Sequence, residues 1–267
     1  MRLDDVGGFV FDVDGSLVHR GEDFRARPLP GAVEALEAIR ASGRPLVLFT
    51  NGSHMKPEEF ATGLTEDGLA VSAKEVLTPV CCAISHLRQE HPGEPVMVFG
   101  SDSTKLRMSA EGIELTEKAD AGAIFVAHVA QVDLDDAEEA ARAVLSGAAL
   151  LTANYGPGYW GANGIIFSKG AMVAAAIAKV TEAVPVVVGK PSEVAVEEVG
   201  KRLGVPTAEL AVIGDDIDMD IGLGKLGGSR TILVRSGLSG AVDLEQVAAA
   251  SRPDEVVDGV EEILAWL

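Results

Sequence analysis

The stretch Phe9-Val10-Phe11-Asp12-Val13-Asp14-Gly15 constrains this chain more than any other, because an apolar run ends there abruptly in two carboxylates and a glycine. Gly8 to Phe11 is too brief for a helix and rich in β-formers, so a short buried strand is predicted. Gly15 then permits a sharp exit. The spacing predicts that Asp12 and Asp14 gather at the carboxyl edge of a sheet, where open α/β folds bind their ligands.

The rest of the chain repeats that theme. Residues 19 to 30 are polar and proline-bearing and read as a flap rather than an element. An amphipathic helix over 31–42 and a buried strand over 45–49 follow, and strand, helix, strand implies a parallel right-handed crossover. That second strand ends in Thr50-Asn51-Gly52-Ser53. From about 79 to 184 strands and helices keep alternating, which predicts a second α/β domain. The final third resumes the first pattern, with a strand over 186–188, then Gly189-Lys190-Pro191, a helix over 193–203, a strand over 210–213, and Gly214-Asp215-Asp216. A strand over 231–234 and a terminal helix over 260–267 complete the expected order.

Composition narrows the partners. Against 41 acidic residues stand 22 basic ones, a net charge of −19 with no basic run, so nucleic acid and anionic membranes are not expected partners. An anionic substrate would need a local cation. The two cysteines, Cys81 and Cys82, are adjacent in an apolar segment, which suits neither a disulfide framework nor a zinc site. With no apolar leader and no run of membrane-spanning length, a cytoplasmic protein is expected.

Asp12, Asp14, Asp215, Asp216 and Asp220 would repel one another if packed together, so they call for a cation. Carboxylate oxygens with room for substrate oxygens favour Mg²⁺, and the five histidines have no zinc-like spacing. A carboxylate beside such an ion can attack phosphorus, splitting a hard hydrolysis into two steps. Asp12 is the natural nucleophile and Asp14 the acid and base. Lys190, the Thr50 hydroxyl and the amides of Asn51 and Gly52 can neutralise or bond the phosphoryl oxygens. Taken singly, each motif also reads as an ordinary turn or helix cap. Their joint occurrence at four strand ends argues for a site.

These residues carry a family resemblance. FDVDGSLV, LFTNGS, VVGKPSEV and VIGDDIDMDIGLGKLGG resemble, in order and spacing, the four motifs of the haloacid dehalogenase (HAD) superfamily. PLPGAVEALEAIRASGRPLVLFTNGS is most similar to its subclass IIA, the NagD-like and 4-nitrophenylphosphatase-like enzymes. The resemblance implies a doubly wound, Rossmann-like parallel sheet core over 1–78 and 186–267. It also implies an inserted α/β cap of the C2 type over 79–185, since 140 positions separate Thr50 from Lys190. It further implies Mg²⁺ on Asp12, the Asp14 carbonyl and Asp215, with Asp220 in support. Asp14 distinguishes phosphatases from dehalogenases, which lack a carboxylate there. Ser16, Gly52 and Met219 depart from the commoner residues of the pattern.

The resulting expectation is a Mg²⁺-dependent phosphatase of small-molecule phosphate monoesters working through an aspartyl-phosphate, with a homodimer through the cap as a further possibility. The rival is a non-catalytic phospholigand-binding module on the same fold. Substrate choice would fall to the cap, where a Gly-rich loop over 154–161, containing Tyr155, Tyr159 and Trp160, is expected near the pocket mouth or a dimer contact.

Overall fold

The computed structural model describes residues 2–21, 23, 25–161 and 164–267, with the side chains at 159–165 outside the described part. In chain order the elements are β1 (Gly8–Phe11), β2 (Val18–Arg20), β3 (Ala26–Pro28), α1 (Ala32–Ala41), β4 (Leu46–Phe49), α2 (Pro57–Glu66), β5 (Val76–Leu77) and α3 (Pro79–Glu90). Next come β6 (Val96–Phe99), α4 (Asp102–Ala110), β7 (Ala123–Val126), α5 (Leu134–Leu145), β8 (Ala149–Thr152), β9 (Gly158–Gly161), β10 (Gly164–Phe167) and α6 (Lys169–Thr181). The last are β11 (Val186–Val187), α7 (Glu193–Leu203), β12 (Leu210–Gly214), α8 (Gly222–Gly227), β13 (Arg230–Val234) and β14 (Glu255–Val257).

Two compact units result. The larger comprises Met1–Thr50, Pro57–Leu77 and Lys190–Leu267; the smaller comprises Asn51–Lys56 and Thr78–Gly189. The larger unit is built on a six-stranded sheet in the order β14-β13-β12-β1-β4-β5, every neighbouring pair parallel. Its central strands are continuously apolar because a parallel sheet is covered on both faces. All four residues of β1 and of β4 are buried. Phe11 pairs with Ile213 on one side and Leu48 on the other, so three adjacent strands end nearly level. Helix α1 buries Ala32, Ala35, Leu36 and Ile39, one face at helical spacing. Helix α7 starts where Ser192 Oγ accepts from Ala195 N at 3.0 Å, and it stops at left-handed Gly204.

The smaller unit holds a second parallel sheet, β11-β8-β7-β6. Its core gathers Met97, Phe99, Ile124, Val126 and Leu150 with Ala140 and Ala143 of α5 and Ala174 and Ile177 of α6. Small alanines let both helices lie close on the strands. No helix among the described residues is long and apolar enough to cross a membrane.

Four expectations need correction. The stretch 19–30 is not featureless, for β2 and β3 form an antiparallel pair, with exposed His19, Arg20 and Arg27 hiding the strand alternation. Val186–Val187 pairs with β8 in the smaller unit rather than joining the larger sheet. Apolar character alone does not say which of two parallel sheets a two-residue strand completes. The segment around Trp160 forms an antiparallel β9–β10 hairpin, while the Trp160 side chain, and with it the expected role at a pocket mouth, lies outside the described residues. The C-terminus is a 3₁₀ helix over Val260–Trp266, burying Val260 and Ile263 at the three-residue spacing that suits it, and it is preceded by the unforeseen β14.

Candidate active site

The level strand ends bring distant residues together within the larger unit. Asp12 N still donates to Ile213 O at 2.8 Å, so Asp12 is the last residue of β1 held by the ladder, beside Asp215 just past β12. Gly15 then turns the chain with φ of +95°, and a Cβ there would overlap the Asp215 carboxylate. Glycine is required twice over, for the left-handed backbone and for the close approach.

Asp215 is enclosed from several sides. Leu238 N donates to its Oδ2 at 2.6 Å, and a Cβ on neighbouring Gly237 would overlap the same oxygen. Ser16 Oγ, fully buried, lies 3.4 Å from Asp215 Oδ1 and 3.3 Å from Asp12 Oδ2. Lys190 Nζ donates to Asp12 Oδ1 and to Asp220 Oδ1, both at 2.7 Å, with its side chain 2% exposed. Asp220 Oδ2 also accepts from Asp216 N at 3.1 Å. Asp216 itself caps the following turn, its Oδ1 accepting from Asp218 N at 2.8 Å and Met219 N at 3.0 Å. Two adjacent aspartates thus take separate tasks. Asp215 enters the acidic cluster, and Asp216 satisfies backbone amides.

Asp12, Asp215 and Asp220 each present a carboxylate oxygen, all within 4.8 Å of one another. Like charges at about 4 Å in a partly buried site repel by about 4 kcal/mol per pair. The Lys190 ammonium offsets only part of that. Burial accordingly pushes Asp220 up to about 8 and Asp215 up to about 7, and the Asp12 charge adds to both. For Lys190 burial acts in the opposite sense, but the Asp12 and Asp220 charges outweigh it and hold the ammonium above its ordinary range. An all-oxygen, over-acidic cluster of this kind has the donor chemistry of a hard divalent cation site.

Asp14 leaves this cluster. Its half-exposed carboxylate accepts from Arg20 Nε at 2.6 Å. Partial burial raises its pKa, opposed by the Arg20 charge and assisted by that of Asp12. Thr50 is buried at the end of β4, next to β1, with its N–H on Leu77 O at 3.2 Å.

Asn51 and Gly52, expected beside Thr50 as phosphate ligands, belong to the smaller unit. There Ser53 Oγ accepts from His128 N at 2.8 Å, Thr104 Oγ1 donates to Ser53 O at 3.0 Å, and Ser101 Oγ donates to His54 O at 3.2 Å. A Cβ on Gly189 would collide with Ala153 O and crowd Asn51 Oδ1. The glycine before Lys190 is therefore a packing requirement of the smaller unit. Sequence reasoning missed Ser16, Arg20 and the Leu238 amide as members of the site. Ser16 stood in a recognised motif, whereas nothing in the Gly- and Ser-rich segment 236–240 marks it as the wall around Asp215.

The family model of haloacid dehalogenase-like hydrolases matches residues 9–114, and a HAD-hydrolase-like model matches residues 187–263. The chain is 27% identical to the ribonucleotide monophosphatase NagD of Escherichia coli K12, over 95% of this chain and 96% of that one. It is 24% identical to the acid sugar phosphatase of Staphylococcus saprophyticus, over 89% of this chain and 90% of the relative. Among solved structures, the p-nitrophenyl phosphatase from Archaeoglobus fulgidus superposes with a TM-score of 0.87 at 27% identity, covering 98% of this chain and all of the other. Motifs, parallel sheet and clustered carboxylates agree with these matches, and the chain belongs to the haloacid dehalogenase-like hydrolases, in the subclass IIA that its motifs resemble.

Proposed function

We propose that the protein is a phosphomonoesterase of small-molecule phosphate esters, with Mg²⁺ held by Asp12, the Asp14 carbonyl and Asp215. The observation that carries this reading is the convergence of Lys190, Asp12, Asp215 and Asp220, brought from three parts of the chain to one sheet edge. The relatives named as phosphatases support it. When bound, the cation neutralises phosphoryl charge and spares Asp12 the repulsion of an approaching dianion.

In this reading an Asp12 carboxylate oxygen forms a bond to phosphorus as the bond to the ester oxygen breaks. Asp14 gives its proton to the departing alcohol, leaving an acyl phosphate on Asp12. Asp14, now a base, takes a proton from water, whose oxygen attacks phosphorus and releases phosphate, regenerating both carboxyl groups. Lys190 and the Thr50 hydroxyl steady the equatorial oxygens. Asp220 keeps Lys190 charged and in place, and Ser16 orients Asp12.

The smaller unit is read as the C2 cap that chooses the alcohol. Residues 51–56 count with it in addition to the inserted segment. A homodimer through that unit belongs to the same reading, and the exposed Met172, Val180 and Val184 supply apolar surface for it. Cys81 and Cys82, buried as free thiols, suit a reducing cytoplasm. The deciding assay is turnover of 4-nitrophenyl phosphate with and without Mg²⁺, in the parent and in Asp12→Asn. Activity that survives the substitution or ignores chelation rejects the proposal.

A further inference from the structure

Arg20 lies outside every motif that marks the site, yet its guanidinium meets the one acidic side chain of the first motif that the cluster leaves out. Its Nε donates to Asp14 Oδ1 at 2.6 Å. The guanidinium carbon stands 5.6 Å from the ring centroid of buried Phe60 on α2, a cation–π contact that favours holding it there. The strand that carries Arg20 is also tied down. Arg20 pairs with Ala26 across β2 and β3, and just past α2 Asp67 accepts from Ala26 N and from Arg25 Nε, each at 2.7 Å. Helix α2 and the residue after it thus anchor the flap twice, once by a ring and once by a carboxylate. Both anchors lead to Asp14.

We infer that Arg20 is a positioning residue for proton transfer. The flap holds its guanidinium so that the Asp14 carboxyl is kept at one orientation toward the departing ester oxygen. The inference rests on the proposed role of Asp14 as proton donor and extends it to a residue that never touches substrate. A solvated ion pair of this kind contributes little to stability, so its removal should be nearly silent in the fold. Its effect should appear instead where proton delivery matters most. A 4-nitrophenolate leaves readily without a proton, whereas an alkoxide needs one, and a misdirected acid should be felt in proportion to the basicity of the leaving oxygen.

The test is kcat/KM of Arg20→Gln and Arg20→Lys for an aryl and an alkyl series of phosphate monoesters, beside Asp14→Asn and the parent. The expected result for Arg20→Gln is a loss below about 3-fold with 4-nitrophenyl phosphate that grows to about 10- to 100-fold with alkyl phosphates. Arg20→Lys should restore part of it, since one ammonium can replace the single Nε contact, with unfolding midpoints near the parent's. A loss equal across all leaving groups, or no loss, overturns the inference. If Asp14→Asn keeps the steep dependence while Arg20→Gln lacks it, the inference alone fails. If Asp14→Asn also lacks it, the role of Asp14 falls and the inference with it.

Discussion

Lys190 Nζ donates to Asp220 Oδ1 at 2.7 Å, and both side chains are 2% exposed. A fully buried ammonium and carboxylate are costly to desolvate, and such a pair is no sign of stability for its own sake. Here the ammonium also touches Asp12, so the pair keeps a cation beside that carboxylate which the acidic surface of the molecule would otherwise not supply.

Replacing Lys190 by Met should therefore leave three carboxylates crowded without their counter-charge. The expected loss is about 3–5 kcal/mol of folding stability near pH 8 and at least about 100-fold in kcat/KM. Near pH 5, where Asp215 and Asp220 are already protonated, the stability loss should shrink. Denaturant titrations at the two pH values check this. An equal loss at both would show that the charge cluster is not its cause.

Divalent-cation binding should depend on pH in a defined sense. Asp215 at about 7 and Asp220 at about 8 lie above the ordinary carboxyl value of 3.8. In the metal-free chain they favour folding below about 4, and that contribution is lost as pH rises through 7 to 8. A cation prefers them ionised. The rise in Tm on adding Mg²⁺ should thus grow from pH 6 to pH 8 and level off above, by parallel thermal scans with Mg²⁺ and with chelator. A rise that is flat over this range would contradict it.

Gly237 is predicted to tolerate no side chain. A Cβ there would overlap Asp215 Oδ2, the oxygen that accepts from Leu238 N. Gly237→Ala should push the carboxylate off its place and weaken Mg²⁺ affinity by about 10-fold or more, the usual scale for disturbing a ligand's support. Calorimetric titration of Mg²⁺ measures it, and unchanged affinity would show that the 236–240 segment does not position Asp215.

Away from the site, Glu75 offers a stability test. It accepts from Arg40 Nε at 2.8 Å and Nη2 at 3.0 Å, and it closes a capping box with Ser72. Although burial acts to raise it, these donors hold its pKa below 4.5. Its contribution is present above that value and lost as pH falls through the lower, folded-state pKa. Glu75→Gln should cost about 1 kcal/mol at pH 7, and progressively less as pH falls through the lowered folded-state pKa. A constant difference across that range would place the effect elsewhere.

Much of this protein was legible before any coordinates. Continuous apolar runs such as Phe9-Val10-Phe11 and Leu46-Val47-Leu48-Phe49 can only be buried parallel strands, and the polar groups that end them must then share an edge. Element type and order followed from periodicity, and the motif set identified the catalytic class to expect. What the linear pattern could not hold was partnership across distance. That Ser16 reaches Asp215 over 199 positions, that Leu238 N closes on the same carboxylate, and that Asp216 turns to cap a helix while Asp220 takes Lys190 are decided by packing. The same holds for β11, which either sheet's pattern would accept, and for β2 and β3, whose exposed charges hide their pairing. Local sequence sets which faces must be buried, because hydrophobic periodicity is a property of neighbours in the chain. Only the folded arrangement sets which charge meets which, because that depends on where strand ends bring their side chains in space.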